Sequence, residues 1–187
     1  MTNPTNDQKL MFTHGGYRTL ESFKMSTLVY DFTIEFCQKH IDRKSRTKDQ
    51  MEQAARSGRQ NIAEGSQASA TSKKTEIKLT NVARASLEEL LLDFEDFLRQ
   101  HKLKVWDINS PEAKEIRNLA YRKDKSYQTY ASYLSNSESF ANLLICLIHQ
   151  TNYLLDRQIK KLAEDFQTQG GFTERLYQQR TQYREQK

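Results

Sequence analysis

Two Cys-x-x-His pairs, Cys37 with His40 and Cys146 with His149, are the residues whose types and spacing come nearest to a familiar chemistry. Three-residue spacing on a helix puts each thiol and imidazole near one face, so two facing pairs would offer zinc a tetrahedral set of two sulfurs and two nitrogens. Neither pair sits in a compact finger loop and both adjoin apolar stripes, which favours buried thiols and surface imidazoles over ligands. A di-iron bundle needs paired Glu-x-x-His elements; the residues three before His14, His40, His101 and His149 are Met11, Cys37, Leu98 and Cys146. The carboxylates Glu88, Glu89, Asp93, Glu95 and Asp96 wrap around their helix instead of lining one stripe. Ser57 and Ser66 have no assignable His-acid relay, and the Gly15-Gly16 and Gly170-Gly171 pairs lack the Lys-Ser/Thr ending of a phosphate loop. The expectation is a protein that is not an enzyme, with no catalytic residue, metal or cofactor; a zinc-containing enzyme is the weakest alternative.

Basic residues offer a different chemistry. Lys plus Arg number 29 against 24 acidic residues, a formal charge of +5. Seven cations fall between Lys39 and Arg59, against Asp42, Asp49 and Glu52. Lys44, Arg46, Lys48, Arg56 and Arg59, extended by Lys73 and Lys74, are the candidate nucleic-acid contacts, because several weak phosphate contacts add into salt-sensitive binding. Arg56 and Arg59 stand out, since a guanidinium makes paired contacts to phosphate and small residues beside them expose the local backbone. No base-reading helix or paired half-site is apparent, so binding to DNA or RNA is expected to be nonspecific.

The elements that must carry these residues read as helices. Gly totals 6 and Pro 2 in 187 residues, which suits long uninterrupted helices better than many turn-linked strands. Apolar spacing predicts a first helix over about 18 to 41 and a second over about 48 to 63, opened by Thr47 with Gln50 as a capping box. Thr71 or Ser72 caps a third helix over 73 to 101, whose outward Val82, Ala85 and Leu92 hint at further helices packing from outside. Ser110-Pro111 opens a shorter helix to about 123, continuing less regularly to 134. Ser137 caps a last long helix to about 168, stopped by Gly170-Gly171. The third and last helices would each be roughly 40 to 50 Å long. The predicted architecture is all-α, an elongated antiparallel four-helix bundle with a short C-terminal extension. Its divisions are a flexible N-terminal lead at 1–15 with an apolar anchor at Leu10, Met11 and Phe12, the bundle at 16–169 and a tail at 170–187. Cys37 and Cys146 are too few for a disulfide framework. No basic region precedes an apolar signal core, and no apolar run approaches the roughly 20 residues that span a bilayer. A cytoplasmic protein without a membrane segment is expected.

The stretch SGRQNIAEGS between the second and third helices asks for an amide, an acid and a flexible residue together. Asn61 would cap or bridge helices, Glu64 would accept hydrogen bonds from Lys73, Lys74 or the opening amides of the third helix, and Gly65 would end the second helix. This turn is read first as a structural clasp. NIAEG at 61–65, the preceding Ala54, Ala55, Arg56 and Ser57, and Ser72-Lys73 leading to Ala83 and the LEEL at 87–90 resemble the four-helix bundle family first recognised from intervening sequences within bacterial 23S ribosomal RNA genes. That family in turn is similar to the accessory bundle of diversity-generating retroelements. The resemblance spans roughly 18 to 168, though the Ile and Pro common between Ser57 and Asn61 in the family are here Gly58 and Arg59. The tail from Gly170 to Arg180 resembles the suffix domain of a subgroup of these bundles.

The resemblance implies a homo-oligomer, a pentameric ring in the family, and a basic surface that meets nucleic acid and a protein partner. The combined expectation is a non-enzymatic oligomeric scaffold with nonspecific DNA or RNA binding. The alternative is a structural or protein-interaction bundle without direct nucleic-acid contact.

Overall fold

The computed structural model describes residues 16–122 and 125–185. The proposed lead at 1–15, with its apolar anchor and His14, lies outside them, as does Lys123. Among the described residues six α-helices form: α1 Glu21–His40, α2 Arg46–Ala68, α3 Lys73–Gln100, α4 Pro111–Ala120, α5 Ser137–Gln169 and α6 Phe172–Glu185. Two 3-10 segments accompany them, Gly16–Thr19 and Tyr127–Leu134. The all-α class therefore holds, but the four-helix bundle with a short extension does not describe this chain. Pro111–Ala120 make a separate α4 and Tyr127–Leu134 a 3-10 segment, and Phe172–Glu185 in the tail make a helix in their own right.

Local chemistry explains most boundaries. Ser45 opens α2 by accepting a hydrogen bond from the Thr47 amide at 3.2 Å, in place of the expected Thr47–Gln50 box. Ser72 accepts from the Thr75 amide at the start of α3, and Ser110 accepts from Ala113 with Pro111 at the first helical position. Asn136, not Ser137, caps α5 through the Ser139 amide. Gly170, at φ 67°, ends α5 in a backbone region that L side chains rarely adopt.

The long helices α1, α2, α3 and α5 each run antiparallel to the next around a shared core. Contacts pair Cys37 with Met51, Ser57 with Ser86, Arg84 with Asp156 and Ser22 with Gln158. Phe36 sits at the upper end of that core with ring centroids 5.1 Å from Phe94, 4.9 Å from Phe97 and 5.4 Å from Phe140, all near-perpendicular. Each such edge-to-face pair adds about 0.5–1.5 kcal/mol beyond the area it buries.

Small residues let α2 and α3 approach closely. A Cβ on Gly58 would lie 2.7 Å from Leu87 Cδ2, and one on Gly65 would lie 3.3 Å from both the Glu76 carbonyl oxygen and Leu79 Cβ. Gly65 therefore does not end α2. It is buried inside the helix, which continues to Ala68, and its missing side chain lets α3 approach.

From the upper end, residues 103–110 lead into α4, which descends along α5 and places Tyr121 beside Tyr153 in one concavity. At the lower end Lys125 reaches Glu21 at 2.8 Å, and the 3-10 segment climbs back along α1, where Tyr127 Oη donates to Glu35 at 2.9 Å. This flap and the long helices enclose the first half of α5. Ala141 to Ile145, Leu147 and Ile148 are all buried. A helix apolar on every side is one covered on every side. Among the described residues no helix is long and apolar enough to cross a membrane.

Candidate functional site

The seven predicted cations do not gather. Lys44 and Arg46 are exposed where the α1–α2 link enters α2, and Arg56 is exposed midway along it. Lys48 pairs with Glu52 at 3.4 Å, and the Arg59 guanidinium lies 4.2 Å from the centre of the Tyr30 ring. Lys73 donates to Glu76 at 2.9 Å while Lys74 is exposed, both in the first turn of α3. With α2 roughly 33 Å long, Lys44 and Arg46 stand at one end of the molecule and Lys73 and Lys74 at the other. They make a dispersed line along α2 and into α3.

The expected clasp at 61–65 is also relocated. Asn61 Nδ2 donates to the Ser57 carbonyl at 2.9 Å and to Ser57 Oγ at 3.1 Å, one turn earlier on its own helix, and Ser57 Oγ reaches Ser86 Oγ on α3 at 2.9 Å. Glu64 is exposed. The Ser57 and Ser86 hydroxyls join α2 to α3 mid-helix, with the Asn61 amide holding Ser57 from within α2, and the turn is made by Ser69 to Ser72 further on.

The two Cys-x-x-His pairs stay apart. Cys37 is buried with Sγ 4.0 Å from Met51 Sδ, while His40 leans on Phe36 and lines a concavity of about 340 Å³ with Asp93 and His101. Cys146 and His149 line another concavity, of about 440 Å³, between α4 and α5. Burial pushes the Cys37 thiol up to about 12 and the Cys146 thiol up to about 11, so both are protonated at neutral pH and poor ligands or nucleophiles. Among the described residues no three His, Cys, Asp or Glu side chains are grouped to hold a metal ion.

A third concavity, of about 510 Å³, lies where the start of α1, the end of α4 and the middle of α5 meet. Among the described residues, Lys24, Arg122, Lys125 and Arg157 line it together with the carboxylate of Glu21. Glu21 Oε1 accepts from Lys24 at 2.7 Å and Oε2 from Lys125 at 2.8 Å, and these two ammonium groups hold its carboxyl below the usual range. Two tyrosines complete the wall. Tyr121 is 82% and Tyr153 57% exposed, and the Arg157 guanidinium lies 5.9 Å from the Tyr153 ring centre.

Tyr121, Gln150 and Tyr153 line this concavity and the 440 Å³ one alike, so the two are halves of one groove. The first half is cationic; the second is walled by Val105, Trp106, Ile108 and Ile145. Gln150, at the junction, has both Nε2 and Oε1 buried without a hydrogen-bond partner.

This groove was not legible beforehand. Its cations are separated by about a hundred residues between Lys24 and Arg122 and by further helix to Arg157, so no local charge run marks them. Only the descent of α4 beside α5 brings them together.

No family model matches the chain, no curated protein matches it, and no solved structure matches it. The resemblance to the ribosomal-RNA intervening-sequence bundles and retroelement accessory bundles is thus corrected: nothing supports it, and the six-helix architecture departs from a four-helix bundle with a suffix domain. The NIAEG signal that suggested it is accounted for by close α2–α3 approach.

Proposed function

We propose that this protein is a non-enzymatic helical scaffold that holds nucleic acid without sequence preference through its basic surface. The observation that carries the proposal is the groove where the start of α1, the end of α4 and the middle of α5 meet, whose described lining sets Lys24, Lys125 and Arg157 around Glu21, a carboxylate that already accepts from both lysines. A concave cluster of one sign concentrates the local field and favours a polyanion over isolated surface charges. The exposed Lys44, Arg46, Arg56 and Lys74 offer secondary contacts along the path of α2. Val82 and Leu92, 39% and 57% exposed with Ala85 on the same outer face of α3, support self-association, which would repeat the basic groove. A pentameric count was implied only by the family resemblance and falls with it.

Titrating labelled DNA and RNA into the protein by fluorescence anisotropy over a series of salt concentrations tests this. Binding should weaken with salt along a straight log–log line, each neutralised phosphate adding about 0.7–0.9 to the slope. Lys24→Glu with Arg157→Glu should weaken binding more than Lys44→Glu with Arg46→Glu. A folded protein that binds neither polymer at low salt ends the proposal.

A protein-interaction role without nucleic acid is favoured by one observation, the apolar half of the groove with Val105 48% and Ile108 70% exposed. Complex formation that survives nuclease treatment would support it.

A further inference from the structure

We infer that the groove between α4 and α5 binds unpaired nucleotides, with the phosphates on the cationic half and a base against Tyr121, Tyr153 and Gln150. The inference rests on the nucleic-acid reading above and deepens it by naming the strand form and the residues that meet a base.

The two halves of the groove ask for a ligand with an anionic part beside a flat, partly apolar part. Lys24, Lys125 and Arg157 supply positive charge within reach of the first half. The rings of Tyr121 and Tyr153 lie on the wall common to both halves, and both are exposed. Aromatic faces beside cations are the usual means of holding single strands without reading their sequence, because every base has a π-face. In a duplex the bases are stacked on one another and their faces are closed to a side chain.

Gln150 decides between a base and a simpler amphiphile. Its amide carries donors and an acceptor, all buried and unpartnered, a state that disfavours leaving the group as it is. An acyl chain with a charged head would fill both halves but leave that amide unsatisfied. A nucleobase edge presents a donor and an acceptor side by side, so a rotation that turns the Gln150 amide into the groove would satisfy both. The exposed ring of Tyr121 and the neighbouring Trp106 and Ile108 then cover the base from water.

The test compares a twelve-nucleotide oligo(dT), the same length of duplex and an oligomer of equal charge with abasic sites, all labelled and measured by anisotropy at one salt concentration. The single strand should bind more tightly than the duplex and the abasic strand. Tyr121→Ala and Tyr153→Ala should each lower its affinity about fivefold to a hundredfold and leave duplex and abasic binding within twofold. Gln150→Leu, similar in volume and unable to hydrogen-bond, should weaken the single strand alone. Both tyrosines are exposed, so thermal melts of the variants should match the parent. Equal affinity for all three probes, or tyrosine variants that bind oligo(dT) as the parent does, overturns this inference while leaving charge-driven binding intact. Dodecanoate that displaces oligo(dT) and binds the Gln150→Leu variant unchanged also overturns it, in favour of an amphiphile site. Binding to none of the probes removes the nucleic-acid reading itself.

Discussion

Asp93 shows how a single side chain in the upper concavity sets a pH response. Burial, then the nearby Glu89 and Asp96, raise its carboxyl above 3.8, and Oδ2 has no hydrogen-bond partner. A raised folded-state value means the folded protein holds the proton more tightly than the unfolded chain. That contribution is complete below 3.8 and is lost as pH rises through the raised value. Asp93→Asn should therefore raise the melting temperature at pH 7 and lose most of that advantage near pH 3.5. His40, in the same concavity, moves the opposite way: burial first, then Lys39, lowers it from 6.5. Its contribution is present above 6.5 and lost as pH falls through the lowered value, so His40→Phe should blunt the acid-side loss of stability. Melts of the two variants across pH, followed by circular dichroism, check both signs. Identical pH profiles for parent and variants would show that neither group is shifted.

Among the elements, α2 and α3 make the most specific claim. Gly58→Ala gains about 1 kcal/mol of helix propensity, but the new methyl would meet Leu87, whose side chain is fully buried and has nowhere to retreat. Overpacking of this kind costs about 1–3 kcal/mol, so the net effect should be a loss of order 1 kcal/mol, read as a lower denaturation midpoint with an unchanged slope. Gly58→Val should lose more. The spans of α1, α3 and α5, and the caps at Ser72, Ser110 and Gly170, were legible from periodicity and end chemistry, because those signals are local. In α2, Gly58 with Ala54 and Ala55 also reads from spacing as a small inward face that lets a neighbouring backbone come close, and Leu87 of α3 does; Gly65 was not legible in this way. Gly65 after Glu64 looks like a helix stop, and only the partner helix shows that the residue is there for closeness rather than for a bend. Nor was the all-round cover of α5 read, although the run FANLLICLI at 140–148 has almost no polar side and carried that information.

For the whole molecule, the outward apolar positions on α3 set the expectation for assembly. Light scattering after size exclusion should give a mass above the 22.0 kDa of one chain, and Leu92→Lys with Val82→Lys should return it toward one chain while the helical signal stays unchanged. A parent that runs as a single chain at every concentration tested would remove self-association from the proposal. The groove belongs to this scale as well, since no one helix contains it. Lys24, Tyr121, Lys125 and Arg157 are brought together by tertiary folding, which is why spacing along the chain pointed instead to the basic stretch on α2.

The enclosure of α5 also bears on synthesis. α1, α2 and α3 leave the ribosome first, yet the rod that fills the space between α1 and α3 is made later. Until residues 140 to 148 have emerged, the rings of Phe32, Phe36 and Phe94 line an open trough with nothing to close it. The nascent chain must therefore be sheltered, or must wait unfinished, and the flap made by α4 can settle only after its neighbour has arrived.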